Sequence, residues 1–295
     1  MKSGFVSIVG KTNAGKSSLI NALTGNKISI CTPKPQTTRN SIRGIYNDED
    51  AQIVFIDTPG FLNPHQKLDR YMNRQVYASL EGIDAVILLI DAGVPFNREK
   101  DLPLVGHLQD LDVPLIIAFN KIDLTNVFLI DGLKKEYAAV LPKGEIVELS
   151  VLKGVNLDLL LKKTKSLLPE GEKFYPDEMK SDHPLSFLIG EIIREKILLL
   201  TKQEIPHSCA VKIERMVKNN HAISIDATII CERESQKKIL VGKQGSMIRK
   251  IGTVSRKEIE QLLGRNVNLT TFVRVEERWR DSDNYLKEFG YGDGD

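Results

Sequence analysis

The residues with the clearest chemistry form a glycine-rich loop near the start of the chain, Gly10-Lys-Thr-Asn-Ala-Gly-Lys16-Ser17. The loop follows an apolar run and opens an amphipathic stretch, which is the strand-to-helix context that a phosphate-binding loop G-x-x-x-x-G-K-[ST] requires. Its backbone N–H groups can surround phosphates, while Lys16 reaches the β and γ phosphates and the Ser17 hydroxyl binds Mg²⁺. The predicted nucleotide contacts here are Gly10, Lys11, Thr12, Asn13, Ala14, Gly15, Lys16, Ser17 and Ser18.

A second motif, Asn120-Lys121-Ile-Asp123, points to the base of the nucleotide. The Asp123 carboxylate can accept two hydrogen bonds, from the ring N–H and from the exocyclic amine of guanine. Adenine has an acceptor at that ring nitrogen and would leave buried polar groups unpaired. The motif therefore predicts GTP and GDP rather than ATP. Farther along, the backbone at Ser150 and Val151 is expected to meet the guanine carbonyl, although the common pattern has alanine in place of Val151.

Between these motifs stands Asp57-Thr58-Pro59-Gly60, at the end of another apolar run. Asp57 is expected to hold Mg²⁺ through water, and Gly60 to offer its backbone N–H to the γ-phosphate. In the polar loop before it, Thr38 is expected to bind Mg²⁺ and sense the γ-phosphate, in preference to Thr37. The predicted metal ligands are thus Ser17, Thr38 and Asp57.

The residue after this motif is Phe61, where Ras-like enzymes have a glutamine that orients the attacking water. Phenylalanine cannot do this, so hydrolysis is expected to be slow or to use another means of positioning water. Asn13 could hold a K⁺ ion that supplies positive charge, or it could only stabilise the loop. The predicted catalytic residues are Lys16, Thr38, Gly60 and Asn13.

Far from these motifs, Gly242-Lys243-Gln244-Gly245 precedes a helical stretch. In KH domains such a G-x-x-G loop clamps the backbone of about four nucleotides. The pattern alone is weak, but residues 201–280 contain 16 Lys and Arg against 9 Asp and Glu, a net +7 in a chain of net charge +2. This asymmetry favours a nucleic-acid-binding module. The predicted RNA contacts are Gly242, Lys243, Gln244, Gly245, Arg249 and Lys250.

Strands and helices must position these side chains, and in the first half they alternate. Strands are predicted at residues 5–9, 53–56, 85–90, 115–119 and 146–149, and helices at 17–23, 68–80, 99–109, 132–141 and 156–168. This alternation is typical of an α/β fold with a mostly parallel sheet, in which ligands bind at the carboxyl ends of the strands. The order in the second half (helix 185–200, strands 209–216 and 222–231, a glycine turn, helix 246–263, strand 267–275) predicts a small α+β domain.

These patterns divide the chain into residues 1–168, a proline-punctuated linker at 169–184, the α+β domain at 185–280 and a tail at 281–295. With 41% hydrophobic and 27% charged residues, the composition is that of a globular protein. The N-terminus lacks the features of a signal peptide, and no apolar run is long enough to span a bilayer. The three cysteines have neither pairing nor metal-ligand spacing, so we expect a reducing, cytoplasmic location.

The nucleotide motifs, together with residues 191–196 (EIIREK), 232–238 (ERESQKK) and 242–245 (GKQG), resemble the Era family of bacterial GTPases over nearly the whole chain. The resemblance implies a Ras-like P-loop GTPase domain followed by a type II KH domain. It also implies binding near the 3′ end of small-subunit ribosomal RNA, a role in maturation of the small ribosomal subunit, and loose association with the inner membrane surface. Lys11, where the family often has arginine, and Val151 depart from the family pattern.

Two other classes of function stay open at this point. One is a regulatory GTPase that acts on protein or membrane partners without reading RNA. The other is an RNA-binding protein without turnover, against which the complete set of phosphate and Mg²⁺ ligands argues. We expect a monomer that binds RNA rather than DNA. GTP binding is expected to order the loops around Thr38 and Asp57 and so to change how the KH domain binds RNA.

Overall fold

The computed structural model describes residues 1–202 and 204–292. The chain forms two compact units. The first comprises Met1–Ser29, Thr38–His65 and Asp69–Asp182. The second comprises Ile30–Thr37, Gln66–Leu68 and the described residues from His183 onward.

The first unit is built from a six-stranded sheet and its covering helices. Its strands are β1 (Lys2–Val9), β2 (Ile42–Asn47), β3 (Ala51–Asp57), β4 (Ala85–Asp91), β5 (Leu115–Asn120) and β6 (Glu145–Glu148). Its helices are α1 (Lys16–Thr24), α2 (Lys67–Ala78), α3 (Arg98–Gln109), α4 (Val127–Val140) and α5 (Leu157–Leu167). The strand order is β2-β3-β1-β4-β5-β6.

All neighbouring strands of this sheet are parallel except β2, which pairs antiparallel with β3. The strands β1, β3 and β4 are rich in Val and Ile and buried along nearly their whole length, because helices cover both faces of the sheet. Two separate clusters of buried apolar residues result, around Ile8 and Phe55 and around Leu88 and Phe119. The mostly parallel α/β fold predicted from the sequence is confirmed.

Two elements differ from the sequence-based expectation. Helix α4 begins at Val127, five residues before the predicted start, because the Asn126 side chain accepts a hydrogen bond from the Leu129 N–H and caps the helix. Its first turn is solvent-exposed, so the apolar periodicity visible in the sequence starts only at Ile130. Strand β2 is absent from the sequence-based prediction, since it is a short edge strand interrupted by Arg43 and a glycine.

Residues 169–182, expected to be a linker, lie in the first unit and contact its edge. The buried Gln52 side chain accepts hydrogen bonds from the Phe174 N–H (2.7 Å) and the Tyr175 N–H (2.9 Å) and donates to the Tyr175 carbonyl (2.8 Å). The Ile45 N–H of β2 donates to the carbonyl of Lys180 at 3.0 Å. The segment therefore satisfies part of the unpaired edge of the sheet.

The second unit contains a three-stranded sheet of order β7-β8-β9. Its elements are α6 (Leu185–Leu200), α7 (Ile205–Ser208), β7 (Ala210–Lys218), β8 (Ile223–Cys231), α8 (Glu234–Val241), α9 (Ser246–Leu263), β9 (Val267–Val275) and α10 (Asp283–Glu288). Strands β7 and β8 are antiparallel, and β8 and β9 are parallel. The small α+β fold is confirmed, with the one-turn helix α7 and the helix α8 as additional elements. Helix α8 is mostly polar and buries only Gln236 and Leu240, which explains why apolar periodicity does not predict it.

One face of α6 and one face of α9 pack on this sheet, with Ile193 and Ile259 in the shared core. The C-terminal region also packs tightly. Trp279 is fully buried, donates from Nε1 to the Ser208 carbonyl at 2.9 Å and stacks on Tyr291. Residues 283–288 of the expected tail form α10, and residues 293–295 lie outside the described residues. Among the described residues, no helix is long and apolar enough to cross a membrane.

Candidate functional site

The phosphate-binding loop connects β1 to α1 and holds a buried lysine at its centre. The Lys16 Nζ donates to the carbonyls of Gly10 and Lys11, each at 2.9 Å. Burial lowers the pKa of Lys16 to about 8, although the nearby Asp57 opposes the shift. A cation kept poorly solvated in this way interacts strongly with an incoming anion. The loop is therefore arranged to receive phosphate groups.

Three oxygen-bearing side chains meet beside this lysine. The Ser17 hydroxyl lies 2.8 Å from the Thr38 hydroxyl and donates to Asp57 Oδ2 at 2.8 Å. Thr38 Oγ1 also donates to this oxygen, at 3.3 Å. Asp57 is fully buried, and no described residue hydrogen-bonds its Oδ1 atom. Burial raises the pKa of Asp57, an effect that the charge of Lys16 opposes.

These three residues fit Mg²⁺, a hard cation that prefers oxygen ligands and is held by few protein groups together with phosphates. The buried Oδ1 atom of Asp57 has no partner among the described residues, and a nearby cation or a water bound to that cation would supply one. The structure thus brings together the three predicted metal ligands. Thr37 does not join them, since its hydroxyl lies 2.7 Å from the Thr32 hydroxyl and donates to the Lys34 carbonyl.

The segment after Asp57 runs along the phosphate loop. Thr58 is buried and donates to the Ile8 carbonyl at 2.8 Å. A Cβ added to Gly60 would lie 2.4 Å from Thr12 Cγ2, so only glycine permits this close approach. The Phe61 N–H donates to the Gly10 carbonyl at 3.2 Å, while its ring packs edge-on against Tyr77. The ring therefore belongs to the apolar layer and has no polar atom with which to orient water.

The residues predicted to bind the base meet at the ends of β5 and β6. Asn120 is buried and donates from Nδ2 to the Ala14 carbonyl at 2.8 Å, while its Oδ1 accepts from the Val151 N–H at 3.0 Å. This amide ties the phosphate loop to the base-binding segments. The Val151 N–H, predicted to face guanine, is thus engaged by Asn120.

Three contacts at the base site do not follow from the sequence pattern. The Ser150 hydroxyl donates to Asp123 Oδ1 at 2.5 Å and so orients the carboxylate expected to read guanine. Lys121 Nζ donates to the Asn13 carbonyl (2.7 Å) and pairs with Asp91 (2.6 Å) at the end of β4. Asp91 lies at the carboxyl end of a buried strand, where ligands bind in such sheets, and this position could have indicated from the sequence that it belongs to the site.

The predicted RNA contacts lie in the second unit, between α8 and α9. The loop backbone has positive φ at Gly242 (72°), Gln244 (52°) and Gly245 (76°), a conformation that favours glycine. The side chains of Lys243, Gln244, Arg249 and Lys250 are exposed.

Beside this loop, a cavity of about 330 Å³ lies between α9 and β9. Its lining residues are Gly245, Ile248, Arg249, Gly252, Thr253, Arg256, Leu269 and Thr271. An apolar floor with arginines next to a G-x-x-G loop suits unstacked bases joined by phosphates. Arg256 also lines this cavity, but the sequence motif does not indicate it because it lies well beyond the loop along α9.

Comparisons with known proteins match both regions of the chain. The family model described as "50S ribosome-binding GTPase" matches residues 5–121, and the "KH domain" model matches residues 204–280. The crystal structure of a point variant of Aquifex aeolicus Era bound to GDP.AlF4⁻ is 40% identical, with a TM-score of 0.94, covering 99% of this chain and 100% of that chain.

A second solved structure, Era in complex with MgGDPNP and nucleotides 1506–1542 of 16S ribosomal RNA, is also 40% identical, with a TM-score of 0.95 and 99% of each chain covered. Similarity of this extent includes the GTPase domain and the KH domain together. The chain therefore belongs to the Era family and is a GTP-hydrolysing enzyme that uses GTP, GDP and Mg²⁺.

Proposed function

We propose that this GTPase binds the 3′ region of 16S ribosomal RNA through its KH domain and assists maturation of the small ribosomal subunit. The observation that carries the proposal is the glycine loop with its exposed cations beside the arginine-lined cavity between α9 and β9. The similar Era structure in complex with nucleotides 1506–1542 of 16S ribosomal RNA supports the choice of RNA. On this proposal the GTPase domain covers residues 1–168 and the KH domain 185–280.

In the proposed reaction, Lys16 neutralises charge on the β and γ phosphates while Gly60 donates its N–H to the γ-phosphate. Ser17, Thr38 and Asp57 would hold Mg²⁺, which would supply positive charge beside the phosphate oxygens. Asp123 selects guanine, and Asn120 holds the backbone of Val151 beside it. Because Phe61 cannot orient water, we expect intrinsic turnover to be slow or the water to be positioned by another group.

Asn13 is the residue we propose as a K⁺ ligand. It has a positive φ of 63° in the phosphate loop, and its side chain is exposed toward the solvent rather than packed in the core. Hydrolysis rates measured in K⁺ and in Na⁺ at equal ionic strength test this role. A faster rate in K⁺ that Asn13→Ala abolishes supports it, whereas equal rates in the two salts remove it.

A cytoplasmic location, a monomeric state and a partnership with the small ribosomal subunit are part of the same proposal. Loose association with the inner face of the membrane rests on the family resemblance alone. No DNA partner is proposed, since the cavity is suited to unstacked bases rather than to a duplex groove.

A regulatory GTPase acting on a protein partner is the second candidate. It is favoured by the exposed apolar residues Val127, Phe128 and Leu129 at the start of α4 and Leu124 in the turn before it. Phe128 is 89% exposed, which is unusual for a large apolar side chain on a folded surface. This candidate requires no RNA affinity, so RNA binding distinguishes the two.

The experiment is to measure affinity for a short single-stranded RNA from the 3′ end of 16S ribosomal RNA, with GDP and with a non-hydrolysable GTP analogue. Tighter binding with the analogue, lost in Gly242→Asp, is the expected result. Equal affinity in the two nucleotide states would leave an RNA-binding GTPase without coupling. No binding in either state would overturn the RNA proposal and favour the protein-partner candidate.

A further inference from the structure

A buried carboxylate outside all the sequence motifs contacts the phosphate loop. Asp101 lies on α3 and is 5% exposed. Both of its oxygens lie close to Lys11 Nζ, at 2.6 and 2.7 Å. Tyr137 of α4 donates its hydroxyl to Oδ1 at 2.9 Å, and the Asn97 N–H donates to Oδ2 at 2.7 Å. Asp101 therefore joins three separate segments of the first unit.

The lysine that Asp101 binds is the first variable residue of the phosphate loop. The Lys11 carbonyl accepts one of the two hydrogen bonds from Lys16 Nζ, at 2.9 Å. Lys11 also forms an isolated β-bridge with Phe61, the residue that follows Gly60. The backbone of Lys11 thus sets the positions both of the ammonium that meets the phosphates and of the segment expected to meet the γ-phosphate.

We propose that Asp101 is a positioning residue for GTP hydrolysis, which acts by holding Lys11 and hence the phosphate loop in its nucleotide-binding geometry. The inference concerns the GTPase reaction and does not depend on the RNA-binding proposal. Its physical basis is that small displacements of groups around transferring phosphates carry large kinetic penalties. Asp101 acts through Lys11 and not by contact with the nucleotide.

The hydrogen bond from Tyr137 holds the Asp101 carboxylate in place beside Lys11. Burial, together with the negative charge of Asp101, raises the pKa of Tyr137, so its hydroxyl remains a donor at neutral pH. A buried carboxylate with three donors is satisfied, whereas one deprived of a donor is strongly destabilised. A stability effect is therefore expected whatever the role of Asp101, and the test must separate stability from positioning.

The same unit offers a control built from the same three residue types, in which the aspartate side chain is 30% exposed. Asp48 accepts from the Tyr46 hydroxyl at 2.6 Å and from Lys165. It lies in the turn between β2 and β3, and its lysine partner is on α5. None of these three residues belongs to a nucleotide motif. Asp48→Asn removes a charge from a Lys–Asp–Tyr triad without touching the phosphate loop.

The experiment measures the GDP dissociation rate with a fluorescent analogue, kcat and KM for GTP, and the thermal unfolding midpoint. The variants are Asp101→Asn, Lys11→Met, their combination, Lys11→Arg and the control Asp48→Asn. We expect Asp101→Asn and Lys11→Met each to speed GDP dissociation about tenfold, with the double variant no faster than either because they break one interaction. Lys11→Arg keeps the ion pair and should restore a rate near that of the wild type.

Asp48→Asn is expected to lower the unfolding midpoint and to leave GDP dissociation within about twofold of the wild type. Equal changes in dissociation for Asp48→Asn and Asp101→Asn would overturn the proposal, since the effect would then follow stability alone. A double variant that releases GDP at the wild-type rate would also overturn the proposal. If Asp101→Asn does not fold, Lys11→Met tests the same interaction at a side chain that is 31% exposed. Its unfolding midpoint, compared with that of Asp48→Asn, accounts for the buried carboxylate left without its cation.

Discussion

The two functional regions of this chain differ in how deeply their key side chains are buried. In the nucleotide site, Lys16, Asp57, Asn120 and Ser150 are buried, and each forms hydrogen bonds with other parts of the site. In the KH loop, the side chains of Lys243, Gln244, Arg249 and Lys250 are exposed. One site is organised before its ligand arrives, and the other presents charge to the solvent.

The difference follows from what each site must recognise. A small nucleotide is surrounded by the protein, so discrimination comes from buried donors and acceptors that a wrong ligand would leave unpaired. A single-stranded RNA lies along a surface, and its phosphates are attracted by exposed cations with little geometric demand. Substitutions in the first site should therefore remove function abruptly, and those in the second should weaken affinity in steps.

The largest expected effect is that of Lys16→Ala. Loss of the ammonium should slow single-turnover GTP hydrolysis about 10³-fold, because the charge on the transferring phosphate is no longer stabilised. RNA affinity in the GDP state should be unchanged. The unfolding midpoint of the nucleotide-free protein is the control. It should fall little, since burial already disfavours the charged lysine and lowers its pKa to about 8.

The second-largest effect is expected for Asp123→Asn. Asparagine has one acceptor oxygen in place of the two of the carboxylate, which accepts from Ser150 at 2.5 Å, so at least one hydrogen bond to guanine is lost and GDP binding should weaken about 100-fold. Xanthine has a carbonyl where guanine has its amine, so the asparagine amide can donate to it. Competition of GDP and XDP for a fluorescent nucleotide measures the change. Unaltered preference for GDP would contradict the assigned role.

The two glycines of the KH loop sharpen the comparison within the second unit. A Cβ at Gly242 would lie 2.8 Å from the Met247 backbone nitrogen, whereas one at Gly245 would meet nothing within 4 Å. Both aspartate substitutions should lower RNA affinity about tenfold by adding negative charge. Only Gly242→Asp should also lower the unfolding free energy by more than the roughly 1 kcal/mol expected for a positive φ. Chemical denaturation separates the two variants.

Lys243→Ala should have the smallest effect. Its side chain is exposed, so stability and GTP hydrolysis should be unchanged. Loss of one phosphate contact should reduce the slope of log affinity against log salt by about 0.7. Titrations of RNA binding at several KCl concentrations measure this slope. An unchanged slope would mean that this lysine does not meet a phosphate in the complex.

How much could be predicted from the sequence differs between the two sites for a physical reason. The phosphate loop has fixed spacing because backbone N–H groups must surround a phosphate, so Lys16 and Ser17 could be placed from eight consecutive residues. The G-x-x-G loop is short and common, and only the local charge and element order made it informative. Fold class followed from the alternation of buried strands and helices, which is a local property of the chain.

Contacts between residues distant in sequence could not be predicted. Asp101 and Lys11 are separated by 90 positions, and nothing in either local sequence indicates the pair. Nothing in the local sequence indicates that the Gln52 side chain accepts hydrogen bonds from the backbone of Phe174 and Tyr175. Trp279 stands between two arginines in the sequence, yet it is buried, donates to the Ser208 carbonyl and stacks on Tyr291. Each of these contacts forms only when whole helices and strands pack together.

The central claim is that one chain carries a GTPase site and a separable RNA site. The most direct test measures GTP hydrolysis and affinity for the 3′ single-stranded segment of 16S ribosomal RNA on the same preparations of wild type, Lys16→Ala and the combined Lys243→Ala/Arg249→Ala variant. We predict that the first variant loses hydrolysis and keeps RNA affinity in the GDP state, and that the second binds RNA more weakly, with a smaller salt dependence, and keeps hydrolysis. Wild-type RNA affinity in the second variant would contradict the assignment of the RNA site to this loop.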